Sequence, residues 1–155
     1  MDKKMFCFQC EQTVGCAGCT GNAGVCGKKA DTARLQDELT GALIGLARAV
    51  DSTTAISKRT GQIIIEGLFT TVTNVNFDDV SIENMIQKVR AEKERLVPDC
   101  SKCQSSCGKT DEYDMQQLWN ANEDIRSLKS LILFGIRGMA AYAYHANVLN
   151  YEDTE

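Results

Sequence analysis

Asp31-Thr32-Ala33-Arg34-Leu35-Gln36-Asp37-Glu38-Leu39-Thr40-Gly41-Ala42-Leu43-Ile44-Gly45-Leu46-Ala47-Arg48-Ala49-Val50 sets Leu35, Leu39, Leu43, Leu46 and Val50 at intervals of three and four residues. That spacing lines one face of an α-helix, and Asp31 reads as its N-cap. A helix with a single apolar stripe must bury it against another element, and the rest of the chain supplies elements of the same kind. From Gly61 to about Val75, residues Ile64, Leu68, Val72 and Val75 keep the helical interval. Ile63-Ile64-Ile65 and the threonines Thr70, Thr71 and Thr73 would also suit a strand; the spacing favours helix. Asp78, Asp79 and Ser81 offer caps for a third helix through Ile82, Ile86, Val89 and Leu96, with Glu92 and Lys93 on its exposed side and Pro98 as its stop. Asn120 and Glu123 have capping-box spacing before a long fourth helix. There Ile125, Leu128, Leu131, Ile132, Met139 and Tyr142 are expected toward the core, with Gly135 and Gly138 permitting close helix approach.

The expected fold class is therefore all-α, a small helical bundle of three to four helices over residues 31–150 with an N-terminal cysteine-rich loop at residues 5–28. A chain of 155 residues suits one domain spanning 1–155, and no repeat of whole helices, low-complexity tract or linker divides it. A domain of that size buries enough apolar surface to fold without covalent staples, so its eight cysteines are not needed for stability. The start Met1-Asp2-Lys3-Lys4 has no apolar signal-peptide run, and no later stretch approaches the roughly 20 apolar residues of a membrane span. The expected compartment is the cytoplasm, where a reducing thiol pool favours metal binding or redox work over structural disulfides. A net charge of −4, with basic and acidic residues mixed along the helices, gives no basic stripe for nucleic acid.

Five of the cysteines crowd into the first 26 residues, at Cys7, Cys10, Cys16, Cys19 and Cys26. Such thiols in a glycine-rich loop can wrap one inorganic centre, because the backbone can turn repeatedly and aim several sulfurs inward. Two quartets are open. Cys7, Cys10, Cys16 and Cys19 form two Cys-x2-Cys pairs, a zinc-knuckle grammar with an unusually short five-residue gap where about 12–20 is common. Cys7, Cys10, Cys19 and Cys26 leave longer loops that suit a cubane, whose irons sit at separate corners. The later triplet Cys100, Cys103 and Cys107 is one thiol short of a closed four-ligand site. It could recruit Cys16 for a second metal site, bind a metal with an open position, or remain free; its loop is expected near the N-terminal cysteines, at the same end of the bundle.

Met5-Phe6-Cys7-Phe8-Gln9-Cys10-Glu11-Gln12-Thr13, then Gly18-Cys19-Thr20 and Gly24-Val25-Cys26-Gly27-Lys28, resembles the N-terminal signature of the hybrid cluster proteins, also called prismane proteins or hydroxylamine reductases. The likeness continues through Gly67-Leu68-Phe69-Thr70-Thr71-Val72-Thr73-Asn74, Asn122-Glu123-Asp124-Ile125-Arg126-Ser127-Leu128 and Gly138-Met139-Ala140-Ala141-Tyr142-Ala143, so it runs over nearly the whole chain. In that family a Cys-x2-Cys-x8-Cys arrangement with a fourth cysteine near Cys-Gly-Lys holds a [4Fe–4S] cluster, and here eight residues separate Cys10 from Cys19. The resemblance implies Cys7, Cys10, Cys19 and Cys26 as ligands and leaves Cys16 without a role. The triplet, with Gly108 and Tyr113-Asp114-Met115 after it, resembles a segment of shorter clostridial-type members, again without an implied role.

What the resemblance further implies is an electron relay. Full-length members are said to reduce hydroxylamine to ammonia, and are linked to reducing nitric oxide to nitrous oxide, at a hybrid iron–sulfur–oxygen cluster whose ligands lie in later domains. Those downstream domains are expected to lie beyond the equivalent of Glu155, so the chain alone is expected to be inactive. Its implied partners are an electron-donor protein and the remaining domains of the parent enzyme. The competing reading is a non-catalytic zinc-binding interaction module. Phe6 and Phe8 flank two ligands and could exclude water or be ordinary core aromatics. His145, near the end of the fourth helix, reads as a packing or capping residue rather than a ligand. Tyr142 and Tyr144 read as packing residues, and Glu11, Asp111 and Glu112 as solvated. No catalytic carboxylate pair, phosphate-binding glycine loop or Ser-His-Asp constellation is present.

Overall fold

A computed structural model of the chain describes residues 4–10, 17–51, 56–72, 76–97 and 111–151. Among them the fold is all-α. Five helices follow in order: α1 (Ala30–Asp51), α2 (Lys58–Thr70), α3 (Asp79–Leu96), the short α4 (Met115–Trp119) and α5 (Glu123–Val148). Four are substantial and pack as a small bundle, with α1 lying along α3 and α2 bridging to α5. The core is the α1 stripe Leu35, Leu39, Leu43, Leu46 and Val50 set against Ile82, Met85, Ile86 and Val89 of α3 and Ile63 of α2. No described helix is long and apolar enough to cross a membrane.

The helix ends show where short polar residues do their work. Ser57 starts α2 by accepting from the Thr60 N–H at 3.1 Å, and Asp78 starts α3 by accepting from the Val80 N–H at 3.2 Å. The helix α2 ends at Thr70, earlier than expected, and its threonines fit because Thr70 and Thr71 donate their hydroxyls to the Glu66 and Leu68 carbonyls, both at 2.8 Å. Asp31 lies inside the first turn of α1 rather than at its cap. Asn122, not Asn120, caps α5, accepting from the Asp124 N–H at 3.0 Å. Asn120 instead closes α4, its own N–H donating to the Gln116 carbonyl.

Two expectations fail for a shared reason: hydrophobicity does not say which stripe finds a partner. On α5 the expected core residues are exposed, Ile125, Leu128, Leu131, Ile132, Met139 and Tyr142 among them. The side turned inward carries the buried Arg137 and Ala140, and Tyr144, whose ring stacks on Phe69 with centroids 4.5 Å apart. His145 packs edge-on against the same Phe69, as a packing residue should. Gly135 and Gly138 meet no neighbour.

Glu92, expected in solvent, is buried. It follows Val89 by three on the core stripe of α3, and it accepts from the Thr60 hydroxyl at 2.6 Å and from Arg95 Nη2 and Nε at 2.6 and 3.0 Å. Arg59 adds an ion pair at 3.2 Å. The Arg95 hydrogen bonds, helped by Thr60, pull its carboxyl down to about 2. A carboxylate depressed in the folded state contributes stability that is complete above its unfolded pKa of about 4.3 and is lost as pH falls toward the folded value. Because Arg59 and Arg95 are largely in solvent, the contribution is reduced to about 1–2 kcal/mol. Urea unfolding of wild type should therefore weaken between about pH 5 and 2 more steeply than that of Glu92→Gln. Parallel pH profiles would remove Glu92 from the acid response.

Candidate metal centre

The N-terminal loop is built around one pair of cysteines. Cys7 and Cys19 exchange backbone hydrogen bonds, Cys7 N–H to the Cys19 carbonyl at 3.1 Å and Cys19 N–H to the Cys7 carbonyl at 2.7 Å. In an antiparallel hydrogen-bonded pair the two α-carbons stand roughly 5.5 Å apart and the side chains share one face. Both residues are buried, packed with Met5 and Ala33 in a small apolar cluster beside the start of α1. Gly18 makes the crossing possible. Its φ of +81° is costly for any other residue, and a β-carbon there would meet the Cys7 carbonyl oxygen at 3.1 Å and the Phe6 ring at 3.2 Å.

Cys26 rides on a closed turn, in which the Gly27 N–H donates to the Gly24 carbonyl and the Gly24 N–H to the Lys28 carbonyl, both at 2.8 Å. Its sulfur lies 3.5 Å from the position a Gly24 β-carbon would take, with the Met5 terminus beside the same spot. Cys10 is half-buried at the edge of an open cavity of about 370 Å³ that it shares with Phe8, Trp119 and Arg126. All four thiols are free. The chemistry of this donor set, four soft sulfurs on one short loop, fits an iron–sulfur group or zinc. Among the described residues, however, no three Cys, His, Asp or Glu side chains form a compact metal-holding group. Cys16, Cys100, Cys103 and Cys107 lie outside the described residues, as do Glu11 and Gly108.

Phe6 and Phe8 belong to a trio completed by Trp119, with ring centroids 5.1–5.8 Å apart. Arg126 of α5 stacks over the indole at 4.6 Å and donates to the Trp119 carbonyl. The loop is thereby fastened to α4 and α5. Neither aromatic is fully buried.

Behind the cysteines lies a polar network; Gln9 and Lys28 stand within the signature stretches, but the sequence alone gives them no role. Lys28 is 1% exposed, and its ammonium donates to Gln9 Oε1 at 2.7 Å and Gln36 Oε1 at 2.5 Å. Gln9 in turn donates its amide to the Ala33 carbonyl at 2.9 Å and to Asp37 at 2.7 Å, and Gln36 donates to the Asn76 carbonyl at 2.7 Å. Arg137, buried on α5, donates to the hydroxyls of Thr71 at 2.9 Å and Thr40 at 3.0 Å. Burial pushes the Asp37 carboxyl up to about 6, with repulsion from Asp114 adding to it, against the Gln9 hydrogen bond and the charges of Arg137 and Lys28. Burial also raises the Cys7 thiol, opposed by its hydrogen bond with the Gln9 backbone and by Lys28, and brings Arg137 down to about 10. Lys28 follows Cys26 by two residues and Gln9 sits between two cysteines, so their place in the signature is the signal the sequence offers.

Comparison with known proteins agrees with the loop. The chain matches the Prismane/CO dehydrogenase family over residues 5–155. It is 39% identical to a hydroxylamine reductase of Methanococcus vannielii over 97% of its length, 37% identical to one of Clostridium perfringens over 97%, and 39% identical to one of Porphyromonas gingivalis over 100%. It spans 31–32% of those relatives, about a third of each. No solved structure matches it significantly. With nearly every residue from the cysteine loop to the end of α5 inside the match, the chain belongs to the Prismane/CO dehydrogenase family.

Proposed function

We propose that the chain is the electron-relay portion of a protein of hydroxylamine-reductase type, holding a [4Fe–4S] cluster on Cys7, Cys10, Cys19 and Cys26. One observation carries the reading: the backbone bridge sets Cys7 and Cys19 side by side, in a loop whose four described thiols are all free. Relatives named hydroxylamine reductase support the assignment to that class of protein. When bound, such a cluster takes up and gives back one electron at a time. The chain's own residues provide the setting. Met5 and Ala33 exclude water beside Cys7 and Cys19, the Phe6–Phe8–Trp119 trio covers the loop, and the Gln9–Lys28 network fixes its inner side. Reduction of hydroxylamine to ammonia and water consumes two electrons and two protons. We place that chemistry outside these residues, with an electron-donor protein on one side of the relay and the reacting centre on the other.

Iron, acid-labile sulfide and zinc should be measured together on anaerobically prepared and reconstituted protein. About four irons and four sulfides per chain are expected, with a signal in electron paramagnetic resonance on reduction. Stoichiometric zinc without sulfide would replace the relay by a zinc-binding interaction module.

A further inference from the structure

We propose that Lys28 is a potential-setting residue, its buried ammonium serving as the fixed counter-charge to the thiolate-bound cluster and favouring the reduced state. The inference rests on the cluster reading above and concerns a residue outside the ligand set. Lys28 is among the largest fully buried side chains in the molecule. An ammonium taken out of water costs several kcal/mol unless it is paired. Yet its two hydrogen-bond acceptors among the described residues are neutral amide oxygens, those of Gln9 and Gln36.

Neither amide can turn away. Gln9 spends its NH2 group on Ala33 and Asp37, and Gln36 spends its own on Asn76, so both oxygens are committed to Lys28. No carboxylate among the described residues hydrogen-bonds the ammonium directly: Asp37 accepts from Gln9 and feels the Lys28 charge across a gap, and Asp79 accepts from the Thr32 hydroxyl at 2.6 Å. The second buried cation, Arg137, likewise bonds two neutral hydroxyls. Among the described residues, neither buried cation therefore hydrogen-bonds a carboxylate, and each is left without an anionic partner in direct contact.

The cysteines can supply it. Four thiolates around a [4Fe–4S] core give a net anion in both oxidation states, more negative after it gains an electron. A fixed cation therefore stabilises the reduced form more than the oxidised one. Burial keeps salt from screening the effect. The amides do a separate job: they hold the cation in place without neutralising it, as a carboxylate would.

The test is a redox titration followed by electron paramagnetic resonance on loaded wild type, Lys28→Gln, Lys28→Arg and Gln36→Glu, after iron and sulfide have been counted in each. Lys28→Gln removes the charge. Gln36→Glu leaves Lys28 in place but neutralises it, so it serves where Lys28→Gln does not fold. Both should shift the reduced-to-oxidised ratio at fixed potential at least tenfold toward oxidised, about 59 mV for a one-electron couple. Lys28→Arg should stay close to wild type. Unchanged potentials in the loaded charge-altering variants would overturn this inference alone. Wild type that takes up no iron and sulfide would overturn the cluster reading, and this inference with it.

Discussion

Gly41→Ala is expected to destabilise the fold by about 1–3 kcal/mol, or more, through one added methyl group. A β-carbon at position 41 would stand 2.2 Å from the Tyr113 carbonyl oxygen and 3.3 Å from its carbon. That neighbour is backbone, which cannot rotate aside as a side chain would. It is also held from several directions. The Tyr113 N–H donates to the Gly41 carbonyl at 3.2 Å, Arg48 of α1 donates to the Asp111 carbonyl, and Arg90 of α3 clasps both oxygens of Glu112 at 2.7 and 2.8 Å. Asp114, next in line, caps α4. Moving Tyr113 away would therefore strain the Arg90–Glu112 pair and the α4 cap together. Helix propensity acts in the opposite direction, since alanine in a helix interior gains about 1 kcal/mol over glycine. The contact is too short for that gain to win. Gly138→Ala provides the control: α5 leaves open space at that position, so the propensity gain should appear as a small rise in stability. Thermal and urea unfolding of the two variants should move in opposite directions. Equal midpoints for wild type and Gly41→Ala would show that the Tyr113 segment yields freely.

The same residue illustrates what a sequence can and cannot reveal. The α1 stripe is legible because its five aliphatics repeat with the helical period and find an equally periodic stripe on α3. Gly41 lies within that helix, and nothing local distinguishes it from Gly138, because its importance depends on a backbone that arrives 72 residues later. Glu92 is illegible for a similar reason: its burial is satisfied by Thr60, across the bundle on α2. On α5 the apolar periodicity is correctly seen as helical but assigned to the wrong side. The inward face is built from Arg137, Ala140 and Tyr144, and its polar head is accepted by Thr40 and Thr71 hydroxyls that no composition pattern connects.

In the candidate site the cysteines are the legible part, since thiols are scarce and their spacing carries chemistry. The supporting layer is not. Gln9 and Gln36 are ordinary polar residues until the fold sets both against Lys28, and Trp119 sits in a short helix too brief to announce itself by periodicity. Phe6 and Phe8 could be noticed beside Cys7, but their partner could not.

Serine replacement of the four proposed ligands should give the largest functional effects. Cys7→Ser, Cys10→Ser, Cys19→Ser and Cys26→Ser are each expected to cut iron and sulfide content at least tenfold, a cost of about 1.4 kcal/mol or more in cluster retention. A serine hydroxyl does not supply the soft thiolate that iron–sulfur centres use. Cys7 and Cys19 need a further measurement, because they are buried and bridge the loop, so their loss could act through folding. Far-ultraviolet circular dichroism of the apoproteins separates the two effects: unchanged helicity with lost iron assigns the defect to ligation. Cys10 and Cys26 are half-exposed and give the cleaner comparison. Cys16→Ser should retain its cluster, since the proposed quartet, the one the family resemblance implies, does not include it. Cys26 decides between the two quartets, for it belongs to the wider set alone, while Cys16 belongs to the paired-knuckle set alone. Iron lost from Cys16→Ser but kept in Cys26→Ser would move the site to Cys7, Cys10, Cys16 and Cys19. The opposite result would leave Cys26, two residues before the buried Lys28, as the ligand that brings the centre within reach of that fixed charge.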